Sequence, residues 1–215
     1  MKPLVVLLHG LARGRGSMAK LGAVLRAHDF DTWSHTYPSR KHSINYLAGA
    51  ITELLVEHGP RPLHAVTHSM GGIVVRHLRD PRLDWQRIVM LAPPNQGSQL
   101  AAGLVGNPLF RWFYGPAGAE LADASAWPPP PAPFAVIAGT RSVALTNVTS
   151  WTVGRRFPPG TRNDGTVAVD EAKLPGMAAF AEVDATHTWI MNSPVVQRMV
   201  IAYLRSGTLD SQVTS

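Results

Sequence analysis

The run Leu4-Val5-Val6-Leu7-Leu8 contains no polar residue, and this constrains the fold more than any other stretch of the chain. A strand with one wet face alternates apolar and polar residues, whereas an unbroken apolar run belongs to a strand covered on both faces. Such strands occur in parallel sheets, where connecting helices supply the cover. The rest of the chain keeps that rhythm. Asp31 to Tyr37 reads as a weaker strand ended by Pro38, and Ser43 to His58 sets Ile44, Leu47, Ala48, Ile51, Leu54 and Leu55 at helical spacing before a Gly59-Pro60 stop. Leu63 to Thr67 reads as a strand, Gly71 to Leu78 as a helix, and Arg87 to Leu91 as a strand closed by Pro93-Pro94. Phe134 to Ala138 and Ala178 to Val183 are the fifth and sixth strands, and Pro194 to Leu204 is the closing helix.

A chain of 215 residues, 45% hydrophobic and 16% charged, can bury one substantial core, so a single domain over residues 1–215 is expected. Residues 95–133 then form a long excursion between two strands, over the face where the strands end. It holds an apolar-aromatic patch (Leu109, Phe110, Trp112, Phe113, Tyr114) followed by the proline run Pro128 to Pro131. The absence of cysteine excludes disulfides, thiolate metal sites and a cysteine nucleophile. Five apolar residues after Met1-Lys2-Pro3 are too few for a signal sequence, and no run approaches the roughly 18 of a membrane span. A cytoplasmic protein with no membrane span is expected.

Thr67-His68-Ser69-Met70-Gly71-Gly72 lies where a covered strand runs into a helix. A serine on so sharp a turn needs small neighbours, which Gly71 supplies, and its hydroxyl then projects above the sheet. An N-capping serine fits the hexapeptide too. Here the chain resembles the α/β-hydrolase family, whose nucleophile elbow is G-x-S-x-G, with Thr67 standing where the first glycine is usual. His9-Gly10-Leu11 resembles the family's turn after the first strand. The resemblance implies that the Leu11 and Met70 amides form an oxyanion hole. Asn163-Asp164-Gly165-Thr166-Val167 is similar to the acid loop of small lipases and esterases, although Asn-Asp-Gly alone is also a hairpin turn. His187 is the sole histidine after His77.

The resemblance thus implies a catalytic triad of Ser69, Asp164 and His187, with Glu171, Glu182 and Asp184 as competing acids. Leu91 to Ser98 resembles a family segment that helps shape the substrate face. The same resemblance implies a minimal α/β-hydrolase fold of about six mostly parallel strands flanked by helices on both faces, as in small lidless bacterial lipases and esterases. The activity it implies is hydrolysis of a small-molecule carboxylic ester; the lack of a long helical cap insertion, with the patch at Trp112, Phe113 and Tyr114 expected to roof a modest acyl pocket, favours short to medium acyl chains. Thioester hydrolysis or acyl transfer on the same triad, and a non-catalytic binding module on the same scaffold, are the rivals.

Gly14-Arg15-Gly16-Ser17-Met18-Ala19 matches G-x-G-x-x-A, but it begins several residues after the strand, and Asp31 opens its strand instead of closing it. No phosphate loop or paired-histidine metal motif is present, so neither cofactor nor metal is expected, and His64, His68 and His77 read as packing residues. The net charge of +6 invites a nucleic-acid partner, but its distribution argues against one. Gly10 to Lys20 and Arg141 to Asn163 hold seven basic residues and no acid, more than the whole net charge. Both segments follow strand ends, where α/β sheets bind ligands. Arg13 and Arg155 are therefore either solvated loop charges or groups that draw an anionic substrate.

Overall fold

A computed structural model describes residues 2–97, 115–118, 120–121, 124–142 and 157–209. Six strands, β1 (Leu4–Leu8), β2 (Asp31–Ser34), β3 (Pro62–His68), β4 (Asp84–Leu91), β5 (Phe134–Gly139) and β6 (Ala179–Val183), form one sheet in the order β2-β1-β3-β4-β5-β6. Every neighbouring pair is parallel, so the expectation of a mostly parallel sheet holds without exception among these strands.

The period of two along each strand divides the core. Leu4, Val6 and Leu8 of β1, Ala65 of β3, Ile88 and Met90 of β4, and Val136 of β5 face one cluster, with α2 (Ile44–Val56) and α3 (Met70–Arg76). Val5 and Leu7, Val66, Val89 and Leu91, Ala135 and Ile137 face the other, with α1 (Ala19–Ala27) and the last helix. That is why Leu4–Leu8 carries no polar residue: all five side chains are buried, alternately on the two faces.

Topology then locates a crevice. From β1 the chain crosses through α1 to β2 on one side, and from β2 it returns through α2 to β3 on the other side of β1. Ligands of open α/β sheets bind at the carboxyl ends of strands beside such a switch point. Here β1 delivers His9-Gly10 and β3 delivers Ser69.

Several boundaries differ from the sequence reading for local reasons. The second strand stops at Ser34 because Tyr37 turns inward to stack on His9, ring centroids 3.8 Å apart. The fourth begins three residues early, at Asp84, pairing with the lengthened start of β3 across a register shift at Leu63/His64. Helix α1, preceded by a 3-10 turn over Arg15–Met18, and the short α4 (Val169–Ala172) were not expected; the final helix, α5, spans Pro194–Ser206. The aromatic patch Leu109 to Tyr114, with Trp112 and Phe113, and Arg155 lie outside the described residues.

Candidate active site

Ser69 follows the last residue of β3 with φ 52° and ψ −125°, a conformation that costs a non-glycine residue about 1–3 kcal/mol. The surroundings hold it there. Its N–H donates to Leu91 O at 2.9 Å, and its carbonyl accepts from Gly72 N–H at 2.8 Å. The strained turn also brings α3 hard against the end of β1: a Cβ on Gly71 would stand 2.6 Å from Leu8 O and 2.9 Å from His9 O. Small residues after the serine are therefore a packing requirement. At the position where glycine is usual in the elbow, Thr67 is fully buried, and its Oγ1 finds no partner among the described residues.

The turn after β1 abuts the serine. A Cβ on Gly10 would lie 3.1 Å from Ser69 Cβ and 3.0 Å from His68 Nδ1. His9 anchors this turn from beneath: its Nδ1–H donates to Gly10 O at 2.8 Å, which leaves Nε2 to accept the Tyr37 N–H at 3.3 Å, while the Tyr37 hydroxyl donates to His9 O. Burial lowers the His9 pKa, consistent with that neutral tautomer. Met70 opens α3 and is fully buried, and Leu11 is half-buried. Neither the Leu11 nor the Met70 amide has an acceptor among the described residues.

Asp164 is 1% exposed and set by its own loop. Oδ1 accepts the amides of Thr166 and Val167 at 2.9 and 2.8 Å, and Oδ2 accepts from His187 Nδ1 at 2.7 Å. The His187 amide donates to Asp164 O at 3.0 Å, so backbone and ring are held by one residue. Gly139, at the end of β5, makes room for this loop, since a Cβ there would meet Asp164 Cβ at 2.8 Å. The competing acids are engaged elsewhere. Glu171 caps α4 by accepting the Ala168 N–H at 2.9 Å, Glu182 pairs with Arg162, and Asp184 takes Arg141 in a two-point contact.

With Nδ1–H given to Asp164, the lone pair of His187 resides on Nε2. The Ser69 hydroxyl makes no hydrogen bond to it among the described residues, and such contacts often form or tighten only when substrate arrives. His68 joins the two residues instead. Its Nε2–H donates to His187 O at 2.8 Å, and the two rings lie 4.8 Å apart, centroid to centroid. Complete burial holds the His68 pKa well below its usual value, helped by the nearby Arg13 guanidinium, so the ring is neutral and its Nδ1 lone pair has no partner among the described residues. Sequence reading assigned His68 to packing; a contact spanning 119 residues leaves no local trace.

The segment after β4 supports the acid loop. Asn95 donates to Ala172 O at 2.9 Å, and Gln96 N–H donates to Glu171 O at 3.0 Å. Buried Arg76 of α3 donates to the carbonyls of Asn95, Trp127 and Pro128, and its pKa is lowered to about 10 by burial. Helix α3 is thereby tied to Asn95, just after β4, and to Trp127 and Pro128, shortly before β5. Among the described residues no cluster of His, Asp or Glu could hold a metal ion, and no helix is long and apolar enough to cross a membrane.

This chain belongs to the alpha/beta hydrolase family, whose sequence profile matches residues 5–214. Curated protein sequences give no match. Among solved structures it is similar to the mature form of the lipase BlEst2 from Bacillus licheniformis (TM-score 0.75, 17% identity, 96% of this chain and 92% of that one). It is also similar to the metagenomic carboxyl esterase MGS0156 (TM-score 0.68, 18% identity, 87% and 65%). A third is the type II thioesterase BorB of the borrelidin biosynthetic cluster (TM-score 0.59, 16% identity, 95% and 92%). At these identities the likeness is one of fold.

Proposed function

We propose that the protein hydrolyses carboxylic esters through an acyl-enzyme on Ser69. The observation that carries this reading is the 2.7 Å hydrogen bond between buried Asp164 and His187, next to a serine strained into an elbow. His187 Nε2 takes the Ser69 proton as Oγ adds to the ester carbonyl, and the oxyanion meets the Leu11 and Met70 amides. The carbon–oxygen bond to the alcohol then breaks, and His187 returns the proton to that oxygen. Water, losing a proton to His187, attacks the acyl carbon, and Ser69 leaves with the proton restored. Asp164 fixes the tautomer and stabilises the imidazolium.

The substrate is a small-molecule ester of short to medium acyl chain. A fluorophosphonate is expected to label Ser69, identified by mass spectrometry of the tryptic peptide. Turnover of p-nitrophenyl esters is expected to favour short and medium chains. Absence of label on Ser69 contradicts the mechanism; interfacial activation on long-chain emulsions with little activity on soluble esters contradicts the chain-length assignment. Acyl-CoA run beside the esters separates thioester from ester hydrolysis.

A further inference from the structure

The described arginines of the two basic segments differ in their partners. Arg141 and Arg162 are taken up by Asp184 and Glu182. Arg13 forms no ion pair among the described residues. It is half-buried, donates to the carbonyl of Thr188, next to His187, at 3.2 Å, and adds positive charge near His9 and His68.

Arg13 lines a groove of about 500 Å³ together with Thr36, Tyr37, Pro38, Arg40 and Lys41. Among the described residues no Asp or Glu lines it. Its volume falls within the range of small-molecule sites. The two walls are the turn after β1 and the loop after β2, and several hydrogen bonds staple them together. Ala12 N–H donates to Ser39 Oγ and Arg15 N–H to Thr36 Oγ1, both at 3.0 Å, while the Tyr37 hydroxyl donates to His9 O. A groove so pinned is formed before any ligand arrives. One wall is continuous with Gly10, where an added Cβ would stand 3.1 Å from Ser69 Cβ.

We propose that this groove holds an anionic group, a carboxylate or a phosphate, of the ester that Ser69 attacks. The inference rests on the ester-hydrolase reading for the words "of the ester"; the anion site itself stands on the groove. Turnover creates an imidazolium at His187, and an uncompensated guanidinium nearby opposes it. An anion seated between Arg13 and Lys41 removes that opposition and adds charge-assisted hydrogen bonds. Its entry is steered by a field that salt screens.

Calorimetric titration of the intact protein with inorganic phosphate and with succinate tests the site without turnover. Binding is expected, weakened at least about fivefold by Lys41→Glu and by Arg13→Gln, and the tighter of the two probes names the anionic group. Equal binding by wild type and both variants, or no binding by wild type, overturns the site. Kinetics on esters of matched acyl length supply the second arm: the ratio of kcat/KM for an anionic ester to that for a neutral one is expected to fall on Lys41→Glu and in high salt. A ratio indifferent to both overturns the substrate assignment. A uniform loss on neutral and anionic esters with Arg13→Gln, with phosphate binding intact, overturns it too, since that is the mark of a strap between the turn and Thr188. Phosphate binding with no ester turnover at all contradicts the hydrolase reading and leaves the anion site supported.

Discussion

His68 links Ser69 to His187, preceding Ser69 in the chain and donating to the carbonyl of His187 at 2.8 Å. In the proposed reaction it reaches the reacting atoms through His187, which makes it a positioning residue. His68→Ala is expected to lower kcat about 10- to 100-fold with little change in KM, since substrate contacts are untouched while the base loses its seat. His68→Gln, whose amide can place an N–H near the same point, is expected to recover part of kcat. Equal kcat for the Ala and Gln variants contradicts the hydrogen-bonding role. The residues of the site were legible to unequal degrees. Ser69 and Asp164 lie in short segments whose residue types announce sharp turns, and His187 stands out as the sole histidine after His77. His68, Tyr37 and Arg13 act through partners 119, 28 and 175 residues away, and nothing beside them in the chain records those contacts.

At the scale of elements, helix α3 is limited by the end of β1. Gly71→Ala pushes a methyl into backbone that cannot swing aside, the contact with Leu8 O being 2.6 Å, and is expected to cost at least about 1–3 kcal/mol of stability. Gly49, in the middle of α2 with nothing within 4 Å of its would-be Cβ, serves as the control. Gly49→Ala is expected to stabilise by about 0.5–1 kcal/mol. Chemical denaturation of both variants checks the pair; a neutral Gly71→Ala contradicts the packing account of the elbow. The elements themselves were read well where apolar residues repeat strictly, as in β1, β3, β5, α2 and α5. Helix α1 escaped because no side chain caps it and Gly22 sits inside it, close to Leu7 Cδ1. Helix α4 has four residues, too few to show a period, and exists because its Glu171 and the Asn95 segment hold it.

For the molecule as a whole, the histidines tie stability to pH. His9, His64, His68 and His77 all have pKa values lowered by burial. In the unfolded chain each titrates near 6.5, so below that pH the unfolded state binds protons that the folded state resists. Stability is therefore fully present above about 6.5 and is lost as pH falls toward the folded-state values, by up to about 1.4 kcal/mol per pH unit per histidine. The melting temperature at pH 5 is expected to lie several degrees below that at pH 7.5, and His68→Gln is expected to flatten the slope. A melting temperature that rises toward pH 5 contradicts buried neutral histidines. The central claim, that strand ends at the switch point present Ser69 to an activated His187, is met most directly by turnover of p-nitrophenyl butyrate. Ser69→Ala and His187→Ala are each predicted to lower kcat/KM at least about 1,000-fold while circular dichroism stays that of the wild type. Wild-type turnover by a folded Ser69→Ala variant would contradict it.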